Sequence, residues 1–228
     1  MADPTRRKPA VPRLREARHR YGFVLLLILS SLVFGLAAPE EEWARAVAIA
    51  IQGATLLAAL SASRVHRFMS RLASVVVAAA IISSTGVVIG SGELGATAAR
   101  LVTVLLVALA PVAIARGVVV DLRERGDVSL HTMFGVLCIY LLIGSMFAFA
   151  YGVADSVSST PFFASRAPAT VSDFLYFSFA TMTTVGYGDL TTATDLGRSL
   201  AIAEALIGQI YLVTVVAVIV GSLSGRRA

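Results

Sequence analysis

The 228-residue sequence predicts an all-α membrane protein with six transmembrane helices plus a re-entrant short helix and loop. Three observations carry that expectation. Hydrophobic residues make up 57% of the chain and charged ones only 14%, with a mean hydropathy of +0.82, where a soluble domain has about a quarter charged residues. The apolar residues gather into stretches of bilayer length, about 17–25 residues each. In the last fifth of the chain, the run Thr181-Met-Thr-Thr-Val-Gly-Tyr-Gly-Asp189 breaks the apolar pattern with glycine at alternate positions.

The elements follow in order. Residues 1–20 form a basic segment with Arg6, Arg7, Lys8, Arg13, Arg15, Arg18 and Arg20. Such a segment is expected on anionic headgroups at the cytoplasmic face, and nothing beyond its charge points to nucleic acid. Span one covers 21–38. It is longer than the roughly 7–15 residues of a secretory signal core, and Pro39 follows the would-be cleavage site Leu36-Ala-Ala38, so it reads as a retained helix. Spans two to four, 44–62, 72–91 and 97–119, complete a four-span peripheral domain over 21–126. Span five, 130–153, and span six, 197–222, flank the segment Val171–Thr183, which is too short to cross alone. These three make up a second domain, 127–228.

Loop charge sets the expected orientation. Arg64, Arg67 and Arg71, then Arg123 and Arg125, then Arg226 and Arg227 share one side with the basic N-terminus. Glu40, Glu41, Glu42 and Glu93 occupy the other, where Trp43 stands at the boundary. Both termini are then cytoplasmic, which agrees with an even number of spans. The chain stops a few residues after span six, which leaves no room for a ligand-sensing domain there. The lone cysteine, Cys138, lies in an apolar run and reads as packing.

Glycine at alternate positions weakens both helix and strand, so Thr184–Asp189 specifies backbone shape. Non-helical backbone survives at membrane depth only where protein buries it or it lines a watery cavity, which makes this stretch a re-entrant loop. Thr170 can cap the preceding helix, with Asp173 three residues on completing a capping-box pair. Left-handed geometry at Gly186 and Gly188 lets the carbonyls of Thr184, Val185, Gly186 and Tyr187 face one axis, with the Val185 and Tyr187 side chains packed behind. Several chains around an axis would stack rings of oxygens able to replace the hydration shell of a cation.

Thr184-Val-Gly-Tyr-Gly-Asp189 resembles the selectivity filter of potassium channels, and the resemblance covers roughly residues 130–225. It implies an outer helix, a re-entrant pore helix with its selectivity-filter loop, and an inner helix, assembled as a homotetramer that conducts K+ as the permeant ion, with no organic cofactor and no catalysis. By the same resemblance Thr184 gives both carbonyl and hydroxyl to the innermost site. Gly188 and Asp189 support the outer mouth, and Tyr176 stands where these channels carry an aromatic behind the filter. Gly208 is the hinge of the inner helix, and Leu212, Val216 and Val220, four residues apart on one face, line the cavity or gate. Glu204, a carboxylate inside a span, is either a modulator or a buried acid, neutral or bonded to a threonine of the pore helix, that serves packing.

Span four carries only Arg100 and Arg116 and is interrupted by Pro111, so the arginine ladder of a voltage sensor is missing. The chain is similar to prokaryotic six-span channels, and arginine far outnumbers lysine, as in GC-rich bacteria. A bacterial inner membrane is the expected location. A less selective cation channel and a nonconducting membrane sensor or subunit are the alternatives, and Tyr187 weighs against the first.

Overall fold

The computed structural model describes residues 20–37, 130–165 and 167–224, together with Val47, Ile51 and helical positions within 54–59 and 111–119. Within this set four helices run in order: α1 (Arg20–Ala37), α2 (Leu130–Val157), α3 (Val171–Met182) and α4 (Asp195–Ser224). No strand occurs among the described residues, and a single isolated bridge pairs Phe163 with Thr192. The all-α class is therefore observed. The expected spans 72–91 and most of 44–62 and 97–119 lie outside the described residues, as do residues 1–19.

Among the described residues two helices have the length and apolarity to cross a bilayer, Thr132–Val157 and Asp195–Val215, with mean hydropathies of 2.2 and 1.3. Tyr21–Ala37 is apolar but shorter. Its 17 residues reach about 26 Å, close to a hydrocarbon core of about 30 Å. Helix α2 is free of proline and continues four residues past the expected 153, ending before Ser158-Ser-Thr-Pro161. Asp155 near its end accepts from the Phe162 amide at 2.9 Å, which turns the chain back. Helix α4 is capped by Thr194, whose hydroxyl oxygen accepts from Gly197 N at 3.1 Å.

The packing falls into two clusters. Tyr21, Val24 and Ile28 of α1 meet Ile114, Val118 and, on α2, Cys138, Ile139 and Leu142. The second cluster is aromatic and fastens α2 to α3 through the connecting loop: Phe147, Tyr151, Phe162, Phe163 and Phe174. Phe162 is its hub, with ring centroids 5.0 Å from both Tyr151 and Phe163 and 5.7 Å from Phe174. Helix α1 also reaches α3, where Ser172 donates to the Leu36 carbonyl at 3.2 Å.

Phe162 is 1% exposed, so deleting its ring leaves a cavity that several neighbours line. Phe162→Ala is expected to cost about 3–5 kcal/mol and to lower the thermal unfolding midpoint in detergent micelles. Asp195→Asn, at an exposed ion pair with Arg198, should leave the midpoint nearly unchanged. Equal midpoints for both variants would remove Phe162 from the hub.

Candidate functional site

The site begins with the way α3 is held at its ends. At the N-terminus both halves of the capping box form: Asp173 N donates to Thr170 Oγ1 at 3.1 Å, and Thr170 N donates to Asp173 Oδ2 at 2.9 Å. At the C-terminus the chain leaves the helix without losing its amides. Thr183 N donates to Phe179 O at 3.0 Å, Thr184 N to Thr181 O at 3.0 Å, and Val185 N and Gly186 N share Ala180 O at 2.9 and 3.2 Å. The loop thus hangs by its N–H groups from the last turn of α3. Among the described residues none of the carbonyls of Thr184, Val185, Gly186 or Tyr187 accepts a backbone hydrogen bond.

The hand of the backbone alternates through this loop. Thr184, Gly186 and Gly188 have φ of 60°, 53° and 81°, and the residues between them do not share this positive φ. Within one chain a Cβ built on Gly186 or Gly188 would meet no atom within 4 Å, so it is their positive φ, and not crowding within the chain, that calls for glycine. Thr184 is the third left-handed position, missed by a reading that looked only at glycines. A β-branched residue there costs of order 1–3 kcal/mol, which the surrounding hydrogen bonds must offset.

The outer side of the loop is braced. Tyr176 donates its hydroxyl to Asp189 Oδ1 at 3.1 Å, and its ring stacks on Tyr187 with centroids 6.0 Å apart and planes 9° apart. Ser165 donates to Asp189 O at 3.1 Å. Ala164 N to Thr191 O, 2.9 Å, and Ala193 N to Phe162 O, 2.8 Å, clip the connecting loop to the chain beyond Asp189. Tyr187 is nonetheless 72% exposed and Val185 51% exposed on the single chain, so the packing expected behind the loop is largely missing within one copy, where the Tyr176 ring stacks on Tyr187.

The inner side is closed by small residues. Met182, the last residue of α3, is fully buried between two glycines. A Cβ on Gly208 of α4 would lie 2.6 Å from Met182 Cγ, and one on Gly144 of α2 would lie 2.9 Å from Met182 Cε. Gly208 therefore has a packing role, and α4 runs through it as unbroken helix. Glu204, one turn earlier, is fully buried and bonded by Tyr151 of α2 and Ser178 of α3, a serine where the sequence suggested a threonine. Ser178, Tyr151, Gly144 and Met182 were not singled out by sequence; they lie 22 to 60 residues from Glu204, and no spacing rule links them. Leu212 is 44% exposed on α4, and the side chains of Val216 and Val220 lie outside the described residues.

Residues 137–224 match a family model described as an ion channel. "Two pore potassium channel a" of Oryza sativa subsp. japonica is 44% identical over 73 residues, 32% of this chain and 19% of that protein. "Two-pore potassium channel 1" of Arabidopsis thaliana is 36% identical over 100 residues, 44% of this chain and 23% of that protein. The chain spans about a fifth of the length of these curated relatives. The matched residues are thus similar to an ion-channel family and to potassium channels, in line with the resemblance carried by Thr184–Asp189.

If Tyr176 braces Asp189, Tyr176→Phe keeps the stacked ring and loses the hydrogen bond. Amide hydrogen exchange at 188–190 should then quicken by about two- to tenfold, the equivalent of roughly 0.5–1.5 kcal/mol, with helix content unchanged. Exchange at the wild-type rate would show that the hydroxyl contributes nothing to the loop.

Proposed function

We propose that four copies of this chain surround one axis and conduct K+ passively and selectively across a membrane. The observation that carries this reading is the positive φ at every second residue, Thr184, Gly186 and Gly188, beside four successive carbonyls with no backbone donor among the described residues. In a four-fold ring, the carbonyls of Thr184, Val185, Gly186 and Tyr187 and the hydroxyl of Thr184 become stacked oxygen cages that replace an ion's water. Gly188 and Asp189 end the filter at the outer mouth, with Tyr176 behind. Each α3 directs its C-terminal end toward the ion path, where a partial negative charge favours a cation entering the innermost site.

One loop supplies one wall of a pore, so the single chain needs partners. The uncovered Val185 and Tyr187, and the apolar α4 face of Ile202, Leu206, Ile210 and Val213, each more than half exposed, are surfaces that neighbouring copies and lipid would cover. The peripheral segment contributes little gating charge, because span four offers only Arg100, outside the described residues, and Arg116. The basic segment 1–20 rests on anionic headgroups of a bacterial inner membrane, with both termini cytoplasmic.

In potassium-loaded vesicles the reconstituted protein should let a potassium gradient drive flux with no added energy. Tyr187→Asp should lower the potassium-to-sodium permeability ratio at least tenfold while current persists. Equal passage of both ions by the unsubstituted chain would favour a less selective cation pore, and no flux at all would favour a nonconducting subunit.

Below the filter, Leu212, Val216 and Val220 form the cavity wall and an apolar gate that stops ions by expelling water. Single cysteines at these positions should react with thiol reagents applied from the cytoplasmic side to the open channel, and less when it is closed. Reaction at neighbouring faces but not at 212, 216 and 220 would put another stripe of α4 on the pore.

A further inference from the structure

Behind the loop, three helices meet at one carboxyl. Glu204 of α4 is 0% exposed. The Tyr151 hydroxyl of α2 donates to its Oε2. Its Oε1 lies 2.5 Å from Ser178 Oγ of α3, and the same Ser178 Oγ lies 2.7 Å from the Gly144 carbonyl oxygen of α2. Four groups are thus joined by three close oxygen–oxygen contacts in series, and each contact needs one hydrogen between its oxygens.

The hydrogens can be counted. Tyr151 brings one, Ser178 brings one, and the Gly144 carbonyl brings none. An ionised Glu204 also brings none, which leaves two hydrogens for three contacts. If Ser178 then donated to Glu204, its oxygen would face the Gly144 oxygen lone pair to lone pair in an apolar interior. If it donated to Gly144, it would face a carboxylate in the same way. A protonated Glu204 supplies the missing hydrogen. The titratable groups toward the carboxyl from the packed helices are Tyr151 and Tyr140 of α2, while α3 brings Ser178 and no ionisable group there. Among the described residues the ion pair of Arg198 with Asp195 is at the surface, and no cation pairs with Glu204. An uncompensated buried charge is strongly disfavoured.

We propose that Glu204 is held as the neutral acid and acts as a positioning residue for the filter: Tyr151 donates to Glu204, Glu204 donates to Ser178, and Ser178 donates to the Gly144 carbonyl. The relay fixes the roll of α3 at Ser178, one turn before Met182 and next to the carbonyls of Phe179, Ala180 and Thr181 that hold the loop amides. Its consequence for selectivity rests on the potassium-channel reading; the protonation does not.

The test compares Glu204→Gln with the unsubstituted chain, both reconstituted in lipid. Glutamine presents one acceptor oxygen and an N–H donor, the pattern of the neutral acid. In infrared difference spectra at neutral pH the unsubstituted chain should show the C=O stretch of a protonated carboxyl that Glu204→Gln lacks. A carboxylate band pair lost on substitution would overturn the proposal, whether or not either protein conducts. An absence of flux in the unsubstituted chain would instead count against the channel reading alone. In the conducting protein, Glu204→Gln should keep the potassium-to-sodium ratio within about twofold, and Glu204→Ala and Ser178→Ala should lower it about tenfold or more. Raising pH removes the proton, so selectivity should fall on the alkaline side for the unsubstituted chain and stay flat for Glu204→Gln. A Glu204→Gln variant as damaged as Glu204→Ala would show that the working form is the anion. Should Glu204→Ala fail to fold, the infrared comparison and the pH profile of Glu204→Gln still decide the matter.

Discussion

Everything at the loop depends on the last turn of α3 being held still. The amides of Thr183, Thr184, Val185 and Gly186 all hang from the carbonyls of Phe179, Ala180 and Thr181, so a roll of α3 re-aims the free carbonyls that follow. A polar network in an apolar interior resists such a roll, because each hydrogen bond broken there leaves a buried group unsatisfied. Met182 adds a steric stop on the inner side. It is gripped between Gly144 and Gly208, and the Tyr140 hydroxyl reaches its carbonyl at 3.4 Å.

The chain is built unevenly around that turn. Toward α2 the short helix is backed by interlocked rings, including Phe163 on Phe174 at 5.3 Å and Tyr151 on Phe177 at 5.3 Å. On the other side Val185 and Tyr187 are largely bare. The short helix thus has a packed back and a bare front. The backbone strain at Thr184 fits the same division. A residue held at positive φ against its own preference persists when the surroundings over-determine it, and the hydrogen bonds to the helix end do so from within one chain.

Sequence reasoning read the parts of this site whose physics is local. The capping box at Thr170 and Asp173 is a three-residue pattern, the left-handed glycines at 186 and 188 follow from having no Cβ, and the long helices follow from apolar length. Thr184 escaped because side-chain identity argues against positive φ, and only its attachment to the helix end enforces it. The partners of Glu204 escaped for a different reason. An acid inside a span announces itself, but Ser178 and Tyr151 are ordinary residues 26 and 53 positions away, brought together by helix packing and not by any periodicity. Gly208 was legible as unusual, yet its observed neighbour Met182 comes from another helix. The six-span count rests on stretches outside the described residues.

That neighbour changes what a hinge at Gly208 would entail. A glycine in an exposed helix can bend at little cost, but here the absent Cβ is the space that Met182 Cγ occupies, and the Met182 carbonyl and Cα lie 3.3 and 3.7 Å from where that Cβ would be. A bend of α4 at this point slides the helix along the end of α3. Glu204 lies one turn before Gly208 on the same helix and is tied through Ser178 to α3, so α4 is anchored on the N-terminal side of Gly208. Beyond Gly208 the helix is held again, because the Tyr211 hydroxyl donates to the Val136 carbonyl of α2 at 2.7 Å and its ring stacks on Tyr140. The residue whose smallness lets α4 pack against α3 thus lies between two ties, Glu204 to α3 on one side and Tyr211 to α2 on the other, and a bend there has to work against both.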